Sequence, residues 1–247
     1  MVNQDVCPKC HGSGWARIER GGIEGVVRCE CIKGTRTERL LLKANIPRRY
    51  EHCELDNFEN PFRNTSTDIA RVGAEGFVAE YPIRFGLLFM GPQGIGKTHL
   101  AVGIIKKLIL QKSVPCLFCT FPELLKEIQD SWNPVSQSSE MTLLEPVLNT
   151  EVLVLDELGA QKPSDWVRDQ VAYVLNYRYN ENKVTIVTTN FQDYESEEGK
   201  AVRPDSLTQR IGPRIRSRLF EMCRTVKMDG KDFRAEIMHA NHHKGRL

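Results

Sequence analysis

No run in the 247-residue sequence approaches the ~18 consecutive apolar residues that a membrane-crossing helix needs, so a membrane is not among the expected partners. The opening MVNQDVCPKC lacks the basic-then-apolar region of a secretory signal, which leads to the expectation of a cytoplasmic location. Internal repeats are absent too. Net charge is nearly absent, at +2 for pH 7. That small sum conceals an asymmetry. From Lys200 onward there are 12 Lys+Arg against 5 Asp+Glu, a balance of +7, while the remaining 22 against 27 carry −5. A basic carboxyl region suits nucleotide or nucleic-acid phosphate, and equally a solvated helix face; charge does not choose between them.

What is present is ordinary in bulk and particular in detail. Apolar residues make up 40% and charged residues 27%, as in a soluble globular protein. The length suffices for one full core plus a small accessory module. In a reducing compartment the eight cysteines point to metal ligands rather than to a disulfide framework.

Three segments follow. Residues 1–34 hold four cysteines and six glycines and too few apolar residues to build a core unaided. Residues 35–82 read as a helical linker: Thr35 is placed as the cap of a short helix through Lys43, "NIPRRY" ends it, and a second helix runs from Asp68 to Glu80 before Pro82. From residue 83 to 247, strands and helices alternate. Strands are expected at Leu87–Met90, Pro115–Cys119, Val152–Leu155, Val184–Thr188 and Cys223–Val226, with helices near 97–112, 122–131, 164–181 and 205–221. Ser164 is the expected N-cap of the third helix, and 133–140 the expected flexible loop. Short apolar strands separated by helices indicate a mostly parallel sheet covered on both faces.

The stretch "LLFMGPQGIGKTHL" breaks an apolar strand with three glycines before a helix. Gly91, Gly94, Gly96, Lys97 and Thr98 spell G-x-x-x-x-G-K-[ST], the P-loop. A triphosphate needs amide N–H groups converging on one point, and glycines let the backbone curl without obstruction. The helix N-terminus adds partial positive charge. Gly91, Pro92, Gln93, Gly94, Ile95, Gly96, Lys97, Thr98 and His99 are read as the nucleotide-binding stretch, with Lys97 on the β- and γ-phosphates and the Thr98 hydroxyl on Mg²⁺. The bland alternative is a glycine turn joining strand to helix.

"VLVLDELG" is an apolar strand ending in two acids. Asp156 is the expected Mg²⁺ partner and Glu157 the group that polarises the attacking water; a solvated acidic turn is the alternative. "VTIVTTN" ends in Asn190, whose amide suits the γ-phosphate without adding negative charge, or serves as a turn residue. "SLTQRIGPRIRSRLFEM" carries Arg210, Arg214, Arg216 and Arg218. On a helix, 214 and 218 share a face, fit for a transferred phosphoryl group, a phosphate backbone or plain solvent. Near the amino terminus, Cys7, Cys10, Cys29 and Cys31 form two close pairs suited to a tetrahedral Zn²⁺. C-x-C is tighter than the common spacing, and His11 is a rival for one ligand. Cys53, Cys116, Cys119 and Cys223 lie in or near apolar segments and read as core.

P-loop, DE-ending strand, Asn-ending strand and paired arginines, in that order, resemble the AAA+ ATPases. Within them the chain is similar to bacterial helicase loaders of the DnaC/DnaI type and to the related IstB-type transposition helpers. The segments that carry this are "NIPRRYEHCELDNF", "DELGAQKPSDWVRDQVAYVLNYRYNENKVTIVTTNF", "RIGPRIRSRLFEMC" and "VKMDGKDFR". The fold implied is an α/β P-loop NTPase of the AAA+ kind, a parallel sheet with helices on both faces, preceded by a small zinc-binding domain. The resemblance implies Lys97, Glu157 and Asn190 (as first sensor) in catalysis, Arg218 as arginine finger with Arg214 its companion, and Arg234 as second sensor. In that family the finger acts on the neighbouring subunit's nucleotide, so a homo-oligomer is expected in the ATP state. Residues 235–247 are too few for the helical lid of many AAA+ proteins, and Asn57 and Phe58 are candidates for the adenine side.

The implied activity is ATP hydrolysis to ADP and phosphate, with ATP, Mg²⁺ and Zn²⁺ as cofactors. The implied role is loading a hexameric replicative helicase, gripped by the zinc module, onto single-stranded DNA tracked by basic groups and the 133–140 loop. Three other readings stay open: a transposition helper forming filaments on duplex DNA, a P-loop small-molecule kinase, and a nucleotide-binding scaffold with negligible turnover.

Overall fold

The computed structural model describes residues 7, 9, 10, 13, 15–20, 23–133, 139–193 and 206–236; the side chains of residues 17–20, 23, 24, 28 and 30–35 lie outside that description. Two strands, β1 (Trp15–Arg20) and β2 (Ile23–Arg28), form an antiparallel hairpin. Helix α1 (Glu30–Lys43) follows, then a 3₁₀ turn at Arg48–Tyr50 and helix α2 (Thr65–Glu80). Alternation then sets in with β3 (Gly86–Met90), α3 (Lys97–Lys112), β4 (Cys116–Thr120) and α4 (Phe121–Ser131). It continues through α5 (Glu140–Asn149), β5 (Val152–Asp156), α6 (Asp165–Asn180) and β6 (Val184–Thr189). The last elements are α7 (Leu207–Ile211), α8 (Pro213–Met222) and β7 (Cys223–Lys227).

The five later strands make one sheet in the order β4-β5-β6-β3-β7, and every neighbouring pair is parallel. Strand periodicity divides the core in two. Leu87, Phe89, Val152, Val154, Val184 and Ile186 face α1, α2 and α3. Leu88, Met90, Leu153, Leu155 and Val187 face α4 to α8. Both faces are therefore covered, which is why these strands read as continuous apolar runs. The sheet's carboxyl edge collects the ends of β3, β5 and β6, where open α/β sheets bind ligands.

The structure departs from the sequence reading in several places, among them the unexpected β1–β2 hairpin and a start of α2 at Thr65 rather than Asp68. Helix α1 begins at Glu30 with Cys29 as N-cap, so Thr35 lies inside it rather than capping it. Helix α5, just after the expected 133–140 loop, was not among the expected helices; Ser139 caps it by accepting from the Thr142 amide, and Pro146 inside it masks the helical signal. The expected helix 205–221 is two. Gly212 stands between them at φ +84° and ψ 153°, a positive φ that favours glycine.

Arg178 of α6 is wholly buried. Its guanidinium donates to the carbonyls of Val147, Leu148 and Thr150 at 2.9, 3.1 and 3.0 Å, to Val184 O at 2.6 Å and to Thr185 Oγ1 at 2.9 Å. It thereby satisfies the orphan carbonyls at the end of α5 and ties α6 to β6. Arg178→Met keeps the apolar stem and strands those acceptors. It is expected to lower stability by about 3 kcal/mol in equilibrium urea unfolding.

Candidate functional site

Between Met90 and Lys97 the chain must leave the sheet and enter a helix. Gly94 and Gly96 adopt φ of +72° and +93°, where other residues are strained. Space decides as firmly as conformation. A Cβ on Gly94 would stand 1.8 Å from Asp232 Oδ1, and one on Gly96 would stand 2.5 Å from the Phe58 ring. The first turn of α3 has no side-chain cap, so its amides remain available to an anion.

The loop forms one wall of a cavity of about 880 Å³. Lys97, 6% exposed, donates to the carbonyls of Gly91 and Pro92 at 2.8 and 2.5 Å. Burial pushes its ammonium down to about 8, with Asp156 pulling the other way. At the end of β5, Asp156 is 1% exposed and accepts from Thr98 Oγ1 at 2.9 Å and Thr188 Oγ1 at 2.5 Å. Burial raises its carboxyl above the usual range, against those two hydroxyls. Glu157 follows at φ +59°, a left-handed conformation that costs energy for a side chain with a Cβ. Its amide is held by Thr188 Oγ1 at 3.1 Å. Glu157 and Asn190 both line the cavity.

The opposite wall comes from both sides of the P-loop in sequence. Arg49, Tyr50, Asn57 and Phe58 enter from the linker. His99 lines the cavity but turns its Nε2 to the linker, donating to Glu54 O at 2.8 Å and Asn57 Oδ1 at 3.0 Å. From the carboxyl side, the Phe233 amide donates to Gly94 O at 3.1 Å, and Arg234 lines the cavity. Arg49, Tyr50 and Phe233 carry no motif of their own, and only "NIPRRY" and "GKDFR" as segments could have flagged them. Arg214 and Arg218 stand elsewhere, on α8. Arg214 is exposed; Arg218 donates to Asn176 Oδ1 and lies over the Tyr179 ring, 5.7 Å from its centroid.

The thiols of Cys7, Cys10 and Cys29 lie within 4.8 Å of one another, with Cys10 and Cys29 buried. Three convergent sulfurs fit a tetrahedral zinc. The Cys31 side chain and His11 are outside the described residues. Cys53, Cys116 and Cys223 are buried and Cys119 partly so, in line with core positions. Trp132 at the end of α4 is 56% exposed and meets Trp166 edge-on at 5.4 Å between centroids. Most of the 133–140 loop beside it, residues 134–138, is outside the described residues. Among those residues no helix is long and apolar enough to cross a membrane.

The family model described as IstB-like ATP binding protein matches residues 36–239. YqaM of Bacillus subtilis strain 168, an uncharacterized protein, is 25% identical over 228 residues, 88% of this chain and 66% of YqaM. The replicative helicase loader DnaC of Escherichia coli K12 is 24% identical over 203 residues, 81% of this chain and 76% of DnaC. A crystal structure of the DnaC helicase loader superposes with a TM-score of 0.62 at 32% identity, covering 74% of this chain and 99% of that one.

The burial of Lys97 sets a pH dependence. Below about pH 8 its ammonium is charged; above it the free protein has lost the proton, which a bound phosphate would have to restore. Nucleotide affinity is therefore expected to hold near about pH 7 and to fall toward about tenfold per unit above about pH 8. Calorimetry across that range checks this, and Lys97→Met should weaken binding and remove the slope.

Proposed function

The chain belongs to the IstB-like ATP-binding proteins and has the AAA+ P-loop fold, and from that premise we propose that it is an ATP-dependent helicase loader. It would bind a hexameric replicative helicase and single-stranded DNA, with ATP binding and hydrolysis controlling assembly and release. One observation carries the reading. A single cavity gathers the P-loop, Glu157, Asn190 and Arg234, with Asp156 bonded to Thr98 at its edge, while Arg214 and Arg218 stay outside it.

The residues fit a triphosphate with Mg²⁺. A buried ammonium that among the described residues bonds only to its own loop carbonyls, beside uncapped helix amides, is short of an anion. Lys97 would exchange those carbonyls for the β- and γ-phosphates. Thr98 and Asp156 would hold Mg²⁺, whose charge offsets that of the phosphates. Glu157 would take a proton from water as the water oxygen bonds to the γ-phosphorus. The bond from that phosphorus to the bridging oxygen breaks, giving ADP and inorganic phosphate. Asn190 would orient the water, Arg234 would contact the nucleotide of its own chain, and Arg218 with Arg214 would reach the nucleotide of an adjacent copy.

Cys7, Cys10, Cys29 and Cys31 are proposed to hold Zn²⁺, which would fold a segment whose hairpin is marginal alone. That module would grip the helicase. Trp132 supports the DNA role, since its exposed ring, braced edge-on by the core-packed Trp166, offers a stacking face to unpaired bases. The description of the matched family favours a second reading, a transposition helper that forms filaments on duplex DNA.

Light scattering of this protein mixed with a replicative helicase is expected to show a complex that persists in ATP, and Cys29→Ser is expected to lose it while retaining nucleotide binding. Absence of any complex, with ATP-dependent filaments on duplex DNA instead, would favour the transposition helper. Trp132→Ala is expected to weaken single-stranded DNA binding about tenfold in fluorescence anisotropy, with ATP turnover in the absence of DNA unchanged.

A further inference from the structure

Strand β6 delivers Asn190 to the cavity, and just beyond it Asp193 is buried, its side chain 3% exposed. A buried carboxylate needs partners, and this one has them on two helices. Thr208 Oγ1 of α7 donates to Oδ1 at 2.7 Å. Arg216 of α8 donates from Nε to Oδ2 at 2.5 Å, and its Nη2 stands 2.5 Å from the same oxygen in an ion pair. Both guanidinium nitrogens converge on that one oxygen, a charge-assisted tie between α8 and the end of β6. The main chain repeats the tie, since the Leu207 amide donates to Gln192 O at 3.2 Å.

These bonds span a joint. Gly212 separates α7 from α8 at positive φ, and a Cβ placed there would meet nothing within 4 Å. Packing at that residue therefore does not set the angle between the helices, whereas Asp193 grips both. The nucleotide side is continuous with this tie. The Arg210 guanidinium lies 4.3 Å from the centroid of the Phe191 ring, and a Cβ on Gly159, just past the acid pair, would touch both residues at 3.1–3.2 Å. Helix α8, held in this way, is the one that carries Arg214 and Arg218.

We propose that Asp193 is a positioning residue: its carboxylate fixes α8 on the end of the Asn190 strand and so sets where one copy's Arg214 and Arg218 stand against the next copy's nucleotide. This rests on the reading that those arginines act between copies. It makes a directional prediction, because the defect belongs to the copy that donates the arginines and not to the copy whose nucleotide is cleaved.

Mixed assemblies test it. Glu157→Gln copies keep their arginines and lack turnover; Arg218→Ala copies keep the hydrolytic residues and lack the finger. Their mixture is expected to recover ATP turnover that neither has alone. Asp193→Asn added to the Glu157→Gln donor is expected to lower the recovered kcat about tenfold with KM for ATP unchanged. The same change in the Arg218→Ala acceptor should leave it within about twofold. Arg216→Lys, which keeps the charge without the Nε bond, and Thr208→Val, which removes one hydrogen bond, should repeat the donor-only loss at smaller size. They carry the test if Asp193→Asn fails to fold by circular dichroism. Equal losses in donor and acceptor, or no loss in either, would overturn the positioning role while leaving shared sites intact. A parent mixture that assembles by light scattering yet recovers no turnover would overturn the shared-site reading, and the proposal with it.

Discussion

The Lys97 ammonium is buried against the carbonyl oxygens of Gly91 and Pro92, with no carboxylate among the described residues bonded to it. Asp156, close enough to pull on its proton, is bonded to two hydroxyls instead. Cation and acid are thus held apart on one ligand edge, each partly desolvated and each bonded to neutral groups. That unspent electrostatic capacity is what a nucleotide with its metal would satisfy. The surrounding architecture keeps it so. Direct pairing of Lys97 with Asp156 would close the site, and the glycine loop holds the lysine back on its own carbonyls.

The parallel sheet supplies the rigid part of this arrangement. Its strands end together at one edge because every neighbouring pair is parallel, so residues distant in sequence share a rim. Thr188 shows the economy of the register. Its hydroxyl bonds both the Asp156 carboxylate and the Glu157 amide, holding the acid turn against the neighbouring strand. The remaining walls are less regular. The linker and the 229–234 segment reach the loop from opposite ends of the chain, and the close approach of Phe58 and Asp232 to Gly96 and Gly94 leaves no room for larger residues. A nucleotide entering here would touch segments outside the sheet, a physical route by which occupancy could reach the amino-terminal cysteine cluster and the carboxyl-terminal region.

The arginines divide by environment rather than by sequence. Arg216 is spent on a buried carboxylate, Arg210 lies over Phe191, and Arg218 rests on α6 against Asn176 and Tyr179. Arg234 alone of the proposed catalytic arginines lines its own chain's cavity. Arg214 and Arg218 do not line that cavity, which is why a shared site between copies is the proposed arrangement, and why the anchoring of α8 acquires importance.

Much of this was legible in the residue order. The P-loop spelling, the apolar strands ending in Asp156 and Asn190, and the Ser164 cap each rest on local chemistry that a short window contains. Apolar runs also implied a sheet covered on both faces. Three features were not legible, for a common reason: each depends on which distant segment comes to lie beside it. Helix α5 exists despite Pro146 because Leu144, Val147 and Leu148 fill a gap in the core. Arg178 looks like a surface residue of a polar helix and is wholly buried, since five oxygens from two other elements await it. Arg216 is one of four similar arginines until Asp193 selects it. Local sequence determined where nucleotide chemistry could sit, because phosphate binding needs a contiguous loop. Tertiary structure decided which charges face that loop and which are consumed in holding the fold, because a charge takes its role from the partner that burial brings to it.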